Sequence, residues 1–194
     1  MPPVRPYHHG NLLQAVLDEA GTVVRERGAS ELSLREVAAK IGVTHAAPRR
    51  YFANRQELLD AVAVEGFTKL GVRLRAAVEA SPDYPAQIRA VAGAYTRFAI
   101  GEANLVELMF AHKRGTGRHA VGESAEAAFA PMLQMFLRGK AEGFLPNSDP
   151  HRLGLLFLAT LQGLAGLANC GVIPVARLDA LLDDAVDQFP TPPA

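Results

Sequence analysis

The sequence predicts an all-α protein: a three-helix head carrying a helix-turn-helix, followed by a larger helical body. Apolar residues recur at helical spacing along almost the whole chain, and no run alternates with the two-residue rhythm of a strand. Between Ser33 and Phe52, a helical pattern, a glycine and a second short helical pattern follow closely. The division expected is a head over residues 8–54 and a body over 55–189.

The first helix is set by Leu12, Leu13, Val16, Leu17, Ala20, Val23 and Val24. Asn11 and Gln14 have capping-box spacing at its start, and Gly28 stops it. Ser33 and Glu36 repeat that spacing for a second helix, which buries Leu34, Val37, Ala38 and Ile41 and turns at Gly42. Thr44 is expected to cap a third helix running to about Phe52, with Pro48 tolerated near the end of its first turn. Asn54 and Glu57 open a fourth, burying Leu58, Leu59, Val62 and Phe67; no proline interrupts it before Pro82, so it is expected to link head to body.

In the body, Ile88, Val91, Ala92, Tyr95 and Phe98 mark one helix. Asn104 is expected to cap a short one through His112, and three glycines make Arg114 to Gly122 read as a loop. A long helix from about Glu123 to Gly143 precedes Pro146, and Asp149 with Pro150 is a strong start signal for the next. A last amphipathic helix holds Leu178, Leu181, Leu182, Val186 and Phe189, and the tail from Pro190 is expected to fray.

The 194 residues are 49% hydrophobic and 21% charged, a folded globular composition. The net charge of zero hides an asymmetry: up to Arg55 there are eight Lys/Arg against five Asp/Glu, beyond it twelve against fifteen. A basic head on an acidic body puts any polyanion contact in the first quarter of the chain. An architectural DNA coat is the alternative reading, but it would need basic charge throughout, whereas the body is acidic. Cys170 is the only cysteine, so no internal disulfide or cysteine zinc site is expected, and it reads as a small buried hydrophobe. The N-terminus is too polar for a secretory segment, which implies a cytoplasmic location. The uncharged run Leu153 to Ala176 is long enough to span a bilayer, but Gln162, Asn169, glycines and Pro174 interrupt it. A buried interface helix accounts for the same pattern, and no membrane partner is expected.

The helix-turn-helix spacing implies a second helix lying in the major groove of double-stranded DNA. Thr44, His45 and Ala46, with Ala47, then face base edges, followed by Arg49, Arg50 and Tyr51. Arginine pairs with guanine or with phosphate, hydroxyls suit phosphate, and an alanine can meet a thymine methyl. Arg55 is expected on phosphate and Arg49 on a base, with Ser33 and Arg35 completing the surface. Phe52 is expected to turn inward and Tyr51 outward. Two short helices around a glycine can also be a plain helical hairpin; Arg49, Arg50 and Arg55 within seven residues favour the DNA reading.

The stretch from His8 to Leu59, above all LSLREVAAKIGVTHAAPRRYFANRQELLDAV, resembles the N-terminal DNA-binding domain of TetR-family regulators. Ala38, Gly42, Val43 and Thr44 match one family pattern, and Tyr51 with Phe52 match its aromatic ending; Arg49 departs, standing where an aromatic is usual. The resemblance implies a homodimer on a palindromic operator, usually a repressor, with each body giving two helices to a four-helix bundle. The helices near 123–143 and 149–169 are expected to form it, with Leu156, Ala159, Leu161, Gly163, Leu164, Gly166 and Leu167 in the seam. It also implies a pocket for a small apolar effector, lined by Leu105, Met109, Phe110, Phe129, Met132, Leu133 and Phe136, with Tyr95, His112 and Gln162 as polar handles. A solid core accounts for the same Met and Phe residues. His112 and His119 lack a carboxylate or thiol companion, so neither metal nor cofactor is expected. Glu102, Glu107, Glu123 and Glu126 lie at solvated helix spacing and no nucleophile motif is present, so an enzyme is not expected.

Overall fold

The computed structural model describes residues 12–111, 118–145 and 147–189, with no strand among them. Asn11, His112, Pro146, the first part of the expected 114–122 loop and the tail from Pro190 lie outside the described residues. Eight α-helices are described: α1 Leu12–Arg27, α2 Leu34–Lys40, α3 Arg55–Glu79, α4 Tyr84–Gly101, α5 Ala103–Phe110, α6 Arg118–Ala141, α7 Pro150–Asn169 and α8 Val175–Val186. The chain forms two compact units. The first runs up to Gly66 and takes in Asn104–Gly122; the second is Phe67–Ala103 with everything from Glu123 onward.

The first unit packs Val16, Ala20, Val23 and Val24 of α1 with Val37 and Ala38 of α2 and with Leu58, Leu59 and Val62 of α3. Gly42 ends α2 with φ of +74°, a conformation that costs a side chain dearly. Lys40 Nζ meets Glu19 at 3.2 Å, tying α2 to α1. The start of α3 forms as expected: the Glu57 N–H donates to Asn54 Oδ1 (3.0 Å), and Glu57 reaches back to the Ala53 N–H at 2.8 Å. Asn104 does not cap α5. It lies inside the helix and donates to the Arg25 carbonyl at 2.9 Å, fastening α5 to the end of α1. Gly66 lets α5 come close; a Cβ there would stand 2.8 Å from Met109 Sδ.

The third helix departs from expectation. From Thr44 to Phe52 there is no α-helix, only successive turns with a 3-10 turn at Pro48–Arg50. The Ala47 N–H donates to the Thr44 carbonyl and the Arg50 N–H to that of Ala47, each three residues back. Proline explains this. Pro48 has no N–H to return to Thr44, so the tighter pattern takes over until Phe52 regains a four-residue bond to Pro48.

In the second unit Tyr84, Tyr95, Phe98, Met135, Phe136 and Phe157 form the core. Phe136 meets Phe157 edge to face at 5.4 Å, and Phe157 meets Phe189 at 5.1 Å. Asp83 and Asp149 cap α4 and α7, accepting from the N–H groups of Ala86 and His151, with Pro85 and Pro150 in the first turns. The α6 helix begins earlier than expected, so Arg118 to Gly122 is helix rather than loop. It crosses α3 so closely that a Cβ on Gly71 would stand 2.9 Å from Ala128 Cα. The hydroxyls of Tyr84 and Tyr95 are buried without a partner, and burial pushes both phenols well above the ordinary tyrosine range.

Candidate DNA-binding surface and effector cleft

Ser33 holds the N-cap position of α2 in extended conformation (φ −134°, ψ 124°), yet its hydroxyl makes no capping bond. Glu36, its expected partner, instead accepts from Arg27 at 2.6 Å. Ser33 and Arg35 are exposed here, and Thr44, His45, Ala46, Arg49, Arg50 and Tyr51 are exposed on the turns that follow. Phe52 is buried while Tyr51 faces out, as its neighbours predict. Among the described residues Arg35, Arg49 and Arg50 have no carboxylate partner, whereas Arg27 and Lys40 do. Three guanidinium groups without a carboxylate partner among the described residues, Arg35 on α2 and Arg49 and Arg50 on the turns after it, make a local anion-seeking field.

Arg55, expected on phosphate, also makes bonds within the first unit. Its Nε donates to the Leu32 carbonyl at 2.8 Å, and Nη2 donates to the Ala29 carbonyl. It binds the turn between α1 and α2 to the start of α3, leaving fewer donors for phosphate.

The effector residues divide. In the second unit, α6 and α7 border an open cleft of about 550 Å³ lined by Phe129, Met132 and Leu133 with Gly154, Leu155 and Leu158, with Glu126 and His151 also in its wall. Phe136 lies in the adjoining core: it is fully buried, and a Cβ on Gly154 would touch it at 3.8 Å. Tyr95 is buried against the far side of Phe129, ring centroids 6.4 Å apart. Gln162 is half-buried on α7 and does not line this cleft. Leu105 and Met109 pack inside the first unit and Phe110 is exposed there, so these three do not join the cleft. His112 lies outside the described residues. The α7 side, missed in the sequence, was signalled by His151, Leu155 and Leu158, spaced four and three apart on one helix face.

One face of α7 is uncovered. Leu155 is 70% exposed and Leu156 51%, and Ala159, Gly163, Gly166 and Leu167 continue the same stripe. Leu161 does not belong to it: with Phe157, Ala165 and Ala168 it points into its own core, and Leu164 is half-buried. Cys170 is exposed at the end of the stripe rather than buried. The α7 helix has the length and hydropathy of a membrane span, and only 22% of that window is buried within the protein. His119 is exposed, and the described residues contain no group of metal-binding side chains.

Residues 16–62 match the model of bacterial regulatory proteins of the tetR family. A protein of unknown function from Rhodococcus sp. RHA1 is 36% identical and superposes with a TM-score of 0.87, covering 96% of this chain and 97% of its own. A protein from Vibrio parahaemolyticus, provisionally assigned as a TetR-family transcriptional regulator, is 23% identical with a TM-score of 0.74, over 92% and 98% of the two chains. AibR, solved with isovaleryl coenzyme A and operator DNA, shares the fold at 18% identity and a TM-score of 0.69, over 94% and 99%. No curated protein matches the chain.

Proposed function

Residues 16–62 match the tetR family of bacterial regulatory proteins, and from that premise we propose that the chain is a cytoplasmic transcriptional repressor of this family, a homodimer released from a palindromic operator by a small apolar effector. The observation that carries the DNA contact is the set of arginines without a carboxylate partner among the described residues, Arg35, Arg49 and Arg50, in the same segment as Ser33, Thr44, His45, Ala46 and Tyr51. The turns from Thr44 to Tyr51, tightened by Pro48, present all of these except Ser33 and Arg35, which lie at the start of α2. With Arg49 in the place of the usual aromatic, a charged contact replaces a packed one.

The uncovered α7 face, with its small Ala159, Gly163 and Gly166, supports the dimer: an apolar stripe of this kind is stable in water when a second copy covers it. The α6–α7 cleft supports the effector site, and its size lies in the range of small-molecule pockets, roughly 300–1,000 Å³. Leu155 belongs both to the cleft wall and to the uncovered stripe, so dimerisation would roof the cleft. The complex of AibR with an acyl coenzyme A and its operator shows the fold accommodating both partners.

Selection of preferred DNA from a random pool by the full-length protein tests the reading. An inverted repeat with half-sites about one helical turn apart, roughly 34–36 Å or a multiple, is expected. Leu156→Glu should leave the fold intact, yield monomers on sedimentation and lose that DNA. A selected site without inverted symmetry, or a Leu156→Glu dimer that still binds, overturns the proposal.

A further inference from the structure

A second cleft, of about 420 Å³, opens between α4 and α8 in the second unit, away from the residues assigned above. Ile100, Val175, Leu178 and Leu182 make its wall apolar, while Thr96, Arg97 and Asp179 bring polar chemistry to it. Thr96 is only 2% exposed, and its hydroxyl has no hydrogen-bond partner. A buried hydroxyl left unsatisfied is costly, and helical threonines ordinarily relieve it by bonding to the carbonyl four residues back. Here that relief is not taken.

The two charged residues reinforce the point. Arg97 folds back along α4 until its guanidinium covers Gly93, where a Cβ would stand 2.8 Å from Nη1. Glycine therefore makes the space in which the guanidinium rests. Among the described residues Arg97 has no carboxylate partner, and Asp179, from the facing helix, has no cation. Arg97 and Asp179 are both exposed, and two opposite charges that flank one apolar cleft without pairing each other are complementary to a ligand that carries both charges.

We propose that the α4–α8 cleft binds a small aliphatic α-amino acid. Its carboxylate lies on the Arg97 guanidinium, its ammonium on Asp179, and its side chain on Ile100, Val175, Leu178 and Leu182. An anion alone would meet Asp179 unfavourably, and an amine alone would meet Arg97 likewise. The site is separate from the apolar cleft between α6 and α7, so the inference does not depend on the effector proposed there.

Calorimetric titration of the full chain with L-leucine, isocaproate and isoamylamine tests this. Leucine is expected to bind, with each half-ligand weaker by about tenfold or more, the loss typical of one hydrogen-bonded charge. Arg97→Met and Asp179→Asn should each weaken leucine by a similar factor. Gly93→Ala should do so too without lowering the melting temperature, because only the mobile end of Arg97 has to move and the helix gains propensity. Absence of leucine binding overturns the proposal. So does binding that the three variants leave unchanged, or isocaproate binding as tightly as leucine.

Discussion

Replacing Arg55 by alanine separates a structural arginine from a DNA-contacting one. The side chain donates two charge-assisted hydrogen bonds to main-chain carbonyls, one part-buried at Leu32 and one exposed at Ala29. A sheltered bond of this kind contributes about 1.5–3 kcal/mol, and an exposed one far less. Against that, a cation in the first turn of α3 opposes the helix dipole, so its removal returns about 0.3–1 kcal/mol. The net loss expected is about 1–2 kcal/mol, a fall in melting temperature of roughly 2–8 °C for a chain of this size. Well below melting, the salt dependence of operator binding should be the same as for the unaltered protein. Arg49→Ala should behave in the opposite way: unchanged melting, and a slope of log K against log salt smaller by about 0.9. Circular dichroism melts and fluorescence anisotropy across about 50–200 mM salt read both quantities. If Arg55→Ala melts like the unaltered protein and lowers the slope by about one, Arg55 is a phosphate contact and the clamp reasoning fails.

Three further outcomes are expected. Gly71→Ala gains about 1 kcal/mol in helix propensity but forces α3 from the Ala128 backbone, an overpacking that typically costs 1–3 kcal/mol; at 2.9 Å we expect a net loss, whereas Gly163→Ala, with nothing within 4 Å, should raise the melting temperature of the monomeric Leu156→Glu protein. Phe136→Ala should cost about 3–5 kcal/mol in denaturant melts and Phe110→Ala much less, because the first is fully buried and the second 38% exposed; equal losses would mean the core is misplaced. Tyr84 and Tyr95 have folded-state pKa values raised above the unfolded value near 10, so the stability they contribute is complete below about pH 10 and is lost as pH rises beyond it; phenolate absorbance should show two groups that ionise only as the chain unfolds.

What the sequence made legible was mostly local. The Asn54–Glu57 box, the Asp149–Pro150 start and the inward Phe52 each depend on residues within a few positions, and each appears in the structure. Where a distant partner competes, the reading slips. Glu36 has the spacing to reach back to Ser33 but is taken by Arg27, and Asn104 has a capping side chain but is taken by the Arg25 carbonyl. Pro48 was noticed but its effect underestimated, since in so short a helix one missing donor removes much of the bonding. Helical periodicity marks an apolar residue without saying which neighbour it meets. So Met109 and Met132 looked like one pocket although they lie in different units, and Leu161 looked like seam although it faces inward.

The connectivity of the first unit has a consequence for how the chain is made. Its residues come from two stretches separated by 37 others: the early one ending at Gly66, and Asn104–Gly122. The anchoring contacts of the second stretch, Asn104 on the Arg25 carbonyl and Met109 against Gly66, cannot exist until translation has passed them. A nascent chain that has emerged only through Tyr51 carries every residue of the proposed DNA surface without the packing that fixes it. If that surface binds DNA as proposed, its competence arrives only after mid-synthesis, and a fragment cut anywhere between 67 and 103 should be a poor binder although it holds all the proposed contact residues. The head is a piece of architecture that the gene does not encode as one piece.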